Sequence, residues 1–167
     1  MIAVTVRRAV ALDFPSMEAL LTAKVAGISA LDEIIADWGA DALTFADLRA
    51  TFDDQMPFVA IDGGGTLRGW NTVDHVTNGA LPGVADEGWR SLYTVTDKTL
   101  AASDRLIVFG AMMKALAQHA KTGVHVFGDV RTPGRLDSFL ANIFPHIAIS
   151  PTVNRYYSPS ETVVAKL

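Results

Sequence analysis

The segment that most limits the fold is a hairpin. Pro57 to Asp62 reads as a strand, Gly63-Gly64-Gly65-Thr66 as a turn, and Leu67 to Val76 as the returning strand. Glycine clusters supply the unusual backbone angles that tight turns need. Two strands so joined must pair antiparallel, so any fold must accommodate that ribbon. No GK[ST] follows the glycines, which excludes a phosphate-binding Walker loop.

Outward from the hairpin, hydrophobic periodicity alternates between strand and helix. Ile2 to Arg8 reads as a strand. Asp13 stands before Phe14-Pro15 as a capping carboxylate, and Phe14, Met17, Leu21, Val25 and Ile28 follow at helical spacing, with Gly27 as the stop. Ser29 with Asp32 and Thr44 with Asp47 mark two further helix starts. Leu31, Ile34, Ile35 and Trp38 line the first helix, and Phe45, Leu48 and Phe52 the second. A polar loop through Glu87 precedes a strand from Trp89 to Thr96. Asp104 to Lys121 is the strongest helix, stopped by Thr122-Gly123. Val124 to Val130 reads as a strand, and Thr132-Pro133 opens a helix that buries Leu136, Phe139, Leu140 and Ile143. A strand near His146 to Ser150, a loop through Pro159 and a last strand from Glu161 to Leu167 complete the reading. The expected order is β-α-α-β-β-β-α-β-α-β-β, one α/β domain over residues 1–167.

The chain of 167 residues can bury a core without staples. It has no cysteine, which excludes disulfides, thiolate metal sites and a cysteine nucleophile. A net charge of −4 gives no signal for nucleic-acid binding. No apolar run reaches membrane-spanning length, and the start shows no secretory pattern, so a cytoplasmic location is expected. His119, His125 and His146 are scattered without metal-ligand spacing, so no metal site is expected. Asp53 and Asp54 read as solvation at a helix end, and Arg131 and Arg135 as surface cations. Trp38, Trp70 and Trp89 are large apolar anchors, with Trp70 and Trp89 either core or the lining of a cleft.

The element order, the opening Val4 to Leu21 and the hairpin Phe58 to Trp70 together resemble the GNAT N-acetyltransferases over nearly the whole chain. That resemblance implies a mixed, mostly antiparallel central sheet flanked by helices. It also implies direct acetyl transfer from acetyl-CoA to an amine, with the cofactor between the fourth and fifth strands. The family's pyrophosphate loop carries arginine or glutamine, two residues, glycine, one residue, then glycine or alanine. Arg105-Leu-Ile-Val-Phe-Gly110 matches it at Arg105 and Gly110, with Val108 in place of the first glycine. The resemblance assigns cofactor binding to Val95, Thr96, Arg105, Gly110 and Ala111, the backbone N–H groups around Val95 and Thr96 polarising the thioester carbonyl. The base would be His75 or Asp74, whose side chains strand alternation sends to opposite faces. Glu87 and Asp97 lie on the same expected side. The family's usual tyrosine acid is replaced by Phe139 and Leu140, which leaves Tyr156 or Tyr157 for that role. For each of these residues the alternative is an ordinary polar or packing position.

A narrower resemblance, carried by Ala23-Lys-Val-Ala-Gly-Ile-Ser29 and the altered loop, is to GNAT-like internal virion proteins of short-tailed bacteriophages. It implies a catalytically degenerate structural or interaction module, with protein partners in a larger assembly and a place in the virion.

Overall fold

A computed structural model describes residues 2–26, 44–77, 88–120 and 124–167. The expected features at Gly27 to Trp38, at Glu87 and at Lys121 to Gly123 fall outside them. The strands are β1 (Val4–Arg8), β2 (Met56–Asp62), β3 (Leu67–Val76), β4 (Gly88–Thr96), β5 (His125–Arg131), β6 (His146–Ser150) and β7 (Val153–Pro159). The helices are α1 (Phe14–Ala26), α2 (Phe45–Ala50), α3 (Ala102–His119), α4 (Arg135–Ala141) and α5 (Ser160–Lys166). The strands form one seven-stranded sheet in the order β1-β2-β3-β4-β5-β7-β6. β1 with β2, β5 with β7 and β6 with β7 are antiparallel, and β4 with β5 is parallel. α3 supplies the helical crossover that a parallel pair requires.

The chain forms two compact units, residues 1–72 with 93–112 and residues 73–92 with 113–167. In the first, the hairpin is built as its composition dictates. Asp62 Oδ1 accepts the N–H groups of Gly64 and Thr66, both at 2.9 Å, and Gly65 takes φ of 81°, a conformation natural to glycine. Trp70 lies at the centre of a core with Met17, Leu21, Phe45, Leu48, Val59, Leu67 and Val95. Its indole N–H donates to the Met17 carbonyl at 3.0 Å. Trp70 is therefore core.

A second cluster joins Ala60, Val108 and Met112. A β-carbon built on Gly69 would sit 2.7 Å from Val108 Cγ1 and 3.0 Å from the Val95 carbonyl oxygen. The missing side chain at Gly69 therefore lets α3 approach β3 closely. Gly69→Ala is expected to cost about 1–3 kcal/mol by overpacking. Adding Val108→Ala should recover part of that loss in urea denaturation midpoints, because it removes the side-chain clash and leaves the carbonyl.

In the second unit, β5 pairs with β7 from His125↔Pro159 to Arg131↔Val153, and β6 adds to β7 with an irregularity between Ala148 and Ser150. Here the sequence reading needs correction. The last strand is Val153–Pro159, within the expected loop, and the expected strand at Glu161 to Leu167 is α5. The edge of β5 is taken by Val153 to Pro159, whose final proline has no N–H to extend a ladder. Beyond it Ser160 and Val163 bury one side of a short helix.

Two helix starts also differ. Asp13 does not cap α1. It ends a 3-10 turn, Ala11–Asp13, where its carboxylate accepts the Val10 N–H (2.8 Å) and both guanidinium arms of Arg7 (2.7 and 2.8 Å). α3 begins at Ala102, two residues before the expected Asp104, and Asp104 Oδ1 accepts the Ile2 N–H at 3.1 Å. No helix among the described residues is long and apolar enough to cross a membrane.

Candidate functional site

The cofactor candidates belong to the first unit. The Asp97 N–H donates to the Arg68 carbonyl at 2.8 Å, so Asp97 faces β3. Peptide groups alternate along a strand. Val95 therefore also directs its N–H and C=O at β3, while Thr94 and Thr96 direct theirs at the other edge of β4. The Val95 side chain is fully buried in the Trp70 core. The expected carbonyl-polarising role of Val95 is thus corrected: the backbone donors on the second edge belong to Thr94 and Thr96. On that edge Lys24 of α1 donates its ammonium to the Thr94 carbonyl at 3.0 Å.

The segment joining β4 to α3 is Asp97 to Ala101. The Asp97 carboxylate accepts the Thr99 N–H (2.9 Å), the Thr99 hydroxyl (2.7 Å) and Arg68 Nη1 (2.7 Å). Burial works against ionisation of Asp97, but the Thr99 and Arg68 hydrogen bonds outweigh it and hold the carboxyl below its ordinary range. Arg105 to Gly110, which the resemblance matches to a phosphate loop, lies inside α3, in line with the helix expected from Asp104 to Lys121. The N–H groups of Gly110 and Ala111 belong to the helical ladder, Gly110 is buried, and Val108 is core. They do not present N–H groups to an anion.

An anionic group fits the start of α3 better. The N–H groups of Ala102, Ser103 and Asp104 have no acceptor within the helix. Lys98 is exposed nearby in sequence, and Arg105 holds a buried Nε without a partner. No glycine lies between Asp97 and Ser103, and Asp104 adds a negative charge to the first turn.

The acid–base candidates belong to the second unit. Asp74 is gripped by Arg90, whose Nε and Nη2 lie 3.1 and 2.6 Å from its two oxygens. His75 is exposed, its ring 5.1 Å from Trp89, and His119 packs on Trp89 at the same separation. Trp89 is thus half-buried between two imidazoles. Neighbouring on β3, Asp74 and His75 meet different partners, as alternation requires.

Tyr156 is buried and donates its hydroxyl to Asp137 Oδ1 (2.5 Å), with the Asp137 carbonyl at 3.0 Å. Burial and that carboxylate push the Tyr156 hydroxyl up to about 12. Asp137 also accepts from Thr132 Oγ1 (2.8 Å) and Asn154 Nδ2 (2.9 Å). Tyr157, on the opposite face of β7, is half-buried, with His125 6.5 Å away ring to ring. Among the described residues no cluster of three or more potential metal ligands occurs.

The Asp137 network sets an acid response. The Tyr156, Asn154 and Thr132 hydrogen bonds, with the nearby His146 charge, outweigh burial and hold the carboxyl below its ordinary value of 3.8. A depressed folded value means that this stabilisation is complete above the unfolded value and is lost as pH falls through the folded one. Asp137→Asn is therefore expected to flatten the fall in melting temperature below about pH 4, as followed by circular dichroism.

Sequence reasoning missed Lys24. Its signal was present: Lys24 stands seven residues after Met17 and three after Leu21, on the inward face of α1.

This fold is that of the GNAT N-acetyltransferases. A histone acetyltransferase HPA2 and related acetyltransferase from Corynebacterium glutamicum matches with TM-score 0.65 at 15% identity, covering 95% of this chain and 97% of that one. A GNAT-family acetyltransferase from Streptococcus agalactiae matches with TM-score 0.68 at 11% identity, covering 93% and 95%. A Salmonella typhimurium protein solved with its cofactor acetyl-CoA matches with TM-score 0.62 at 9% identity, covering 95% and 94%. No protein-family model and no curated protein matches the sequence. The likeness is to acetyltransferases, and nothing in it supports the virion resemblance, part of whose segment, Gly27 to Ser29, falls outside the described residues.

Proposed function

We propose that this chain is a single-domain N-acyltransferase that takes an acetyl group from acetyl-CoA and delivers it to an amine. The observation that carries the reading is the second edge of β4. Thr94 and Thr96 turn their peptide groups away from β3 there, and the strand runs within a few residues into the start of a long helix. Strand N–H groups can hold an amide-bearing arm and polarise a carbonyl. First-turn N–H groups and the helix dipole favour a phosphate. The overall likeness to acetyltransferase structures supports the same reading.

Acetyl-CoA would supply the thioester. Thr96, through its N–H, would orient the acyl carbonyl, and Arg105 with Lys98 would neutralise the pyrophosphate. Gly110 and Ala111 would serve only in helix packing. Within the second unit taken by itself, Asp74 has both oxygens committed to Arg90 and Tyr156 has its proton held by Asp137, so His75 and Tyr157 are the proposed proton-exchanging groups there.

Arg105→Ala tests the phosphate assignment. It is expected to weaken acetyl-CoA binding roughly tenfold, the size of a charge-assisted hydrogen bond, and to leave acetyl-pantetheine unaffected. Equal weakening of both ligands, or of neither, would remove Arg105 from the site. Thiol release in the presence of a panel of amines then measures transfer itself.

A non-catalytic interaction module of the same fold is the second reading. The specific observation in its favour is that the β4–α3 segment lacks glycine and gives the Thr99 N–H to the Asp97 carboxylate.

A further inference from the structure

On the acyltransferase reading, we propose that Asp129 is the seat of the acceptor's primary ammonium, a surface carboxylate held from behind by the buried Arg155. All the residues concerned belong to the second unit. The β5–β7 register sets Asp129 directly opposite Arg155. Arg155 is 5% exposed, whereas the Asp129 side chain is 36% exposed. Arg155 Nε and Nη2 each donate to one Asp129 oxygen, at 2.6 and 2.7 Å. The Phe127 ring lies 6.0 Å from the guanidinium carbon, so packing as well as pairing fixes the fork.

A buried cation facing a surface carboxylate is a poor device for stability. Desolvating a guanidinium can cost more than its partner returns, and a hydrophobic side chain of similar volume often serves a fold as well or better. Arg155 also keeps Nη1 buried with no hydrogen-bond partner among the described residues, which adds to that cost. What the pair does provide is an outward carboxylate in one fixed orientation. Departures of this kind from the most stable choice collect at functional sites.

The lone pairs that Arg155 leaves on Asp129 select the ligand. An ionised carboxylate has about four acceptor positions, and Arg155 takes one on each oxygen. The fork edge is thereby filled, so a second guanidinium cannot bind there in the bidentate manner. The positions left over each suit a single N–H donor. A primary ammonium, a compact charge with rotatable donors, makes such a point contact. The seat also shares a face with the proposed proton donor Tyr157. Phe127↔Tyr157 is the next pair of the ladder on that face, which sets Asp129 and Tyr157 about 7–8 Å apart on the diagonal.

The probe is n-butylammonium chloride, set against n-butyltrimethylammonium chloride, which has the same charge and no N–H. Each is titrated into the isotopically labelled intact protein at constant ionic strength, with nuclear magnetic resonance following the amides of Gly128, Asp129 and Arg155. Saturable shifts at these residues, with n-butylammonium bound at least about tenfold more tightly than its trimethyl analogue, support the proposal. Asp129→Ala with Arg155→Met removes the seat and the buried charge together, and should abolish that preference while keeping the fold by circular dichroism. The comparison of the two probes on the parent protein decides the matter even where that variant does not fold. No saturable shift at these residues, or equal affinity for the two probes, overturns the proposal. Calorimetric titration with desulfo-CoA separates it from the reading beneath it. Desulfo-CoA binding without an ammonium response removes the seat and leaves the acyltransferase reading intact. An ammonium response without desulfo-CoA binding keeps the seat and removes that reading.

Discussion

Trp70→Ala is expected to lower the melting temperature by about 6–20 °C, corresponding to roughly 3–5 kcal/mol for a buried aromatic truncated to alanine. Trp70 is completely buried and anchors the first core. Phe45 meets it edge to face with 6.2 Å between ring centroids, an arrangement favourable to aromatic pairs. Its indole N–H also satisfies the Met17 carbonyl. The substitution thus removes packing together with a second hydrogen bond to a carbonyl that keeps its helical partner. Trp70→Phe is the milder change, because it keeps most of the volume while losing the donor and part of the ring. It should cost about 1–3 kcal/mol. If Trp70→Ala melts within a few degrees of the parent in differential scanning calorimetry, the Trp70 cluster is not the centre of this core.

Asp129→Ala is the second large effect. Arg155 is 5% exposed, and its Nε and Nη2 reach the two Asp129 oxygens at 2.6 and 2.7 Å. The Phe127 ring lies 6.0 Å from the guanidinium carbon, and Nη1 has no hydrogen-bond partner. Removing the carboxylate leaves a buried cation with no counter-charge, which costs roughly 3 kcal/mol. Asp129→Ala with Arg155→Met should recover most of the loss, since the unpaired charge is then gone. The Arg90–Asp74 pair offers the contrast. Both of its side chains are partly exposed, so breaking it should cost no more than about 1 kcal/mol. A double-mutant cycle on each pair, read by urea denaturation, gives the comparison directly. Equal losses at the two pairs would contradict it.

The hairpin, the helix α3 and the order of strands could be read from the residues because each is specified locally. Asp62, the three glycines and Thr66 encode the turn on their own. The apolar stripe through Phe109, Met113, Leu116 and Ala120 encodes α3 without reference to any neighbour. The end of the chain was misread because Val153 to Pro159 lacks alternation and becomes a strand only by pairing with β5, a long-range choice. Val163-Val164 carries strand propensity, yet only Val163 of the two is fully buried, as one side of a helix needs.

For the candidate site the sequence supplies positions and not edges. Thr96 ends β4 and Arg105 lies in the first turn of α3, as the expected strand and helix imply. Val95 was taken as a donor because sequence shows which side chains alternate but not which edge a strand offers to its partner. Gly110 and Ala111 drew a cofactor role only from the family resemblance, because the arginine-to-glycine spacing recurs inside a stretch that the periodicity reads as helix and that starts at Ala102. The commitments of Asp74 to Arg90 and of Tyr156 to Asp137 join residues 16 and 19 positions apart, with no local signal to announce them.

The central claim is that this chain binds an acyl-CoA through the β4 edge and the start of α3. Calorimetric titration with acetyl-CoA, set beside acetyl-pantetheine, tests it most directly. The account predicts saturable binding to acetyl-CoA at micromolar concentrations and much weaker binding to acetyl-pantetheine, which lacks the pyrophosphate. No heat of binding to acetyl-CoA at millimolar concentration, or equal affinity for the two ligands, would contradict it.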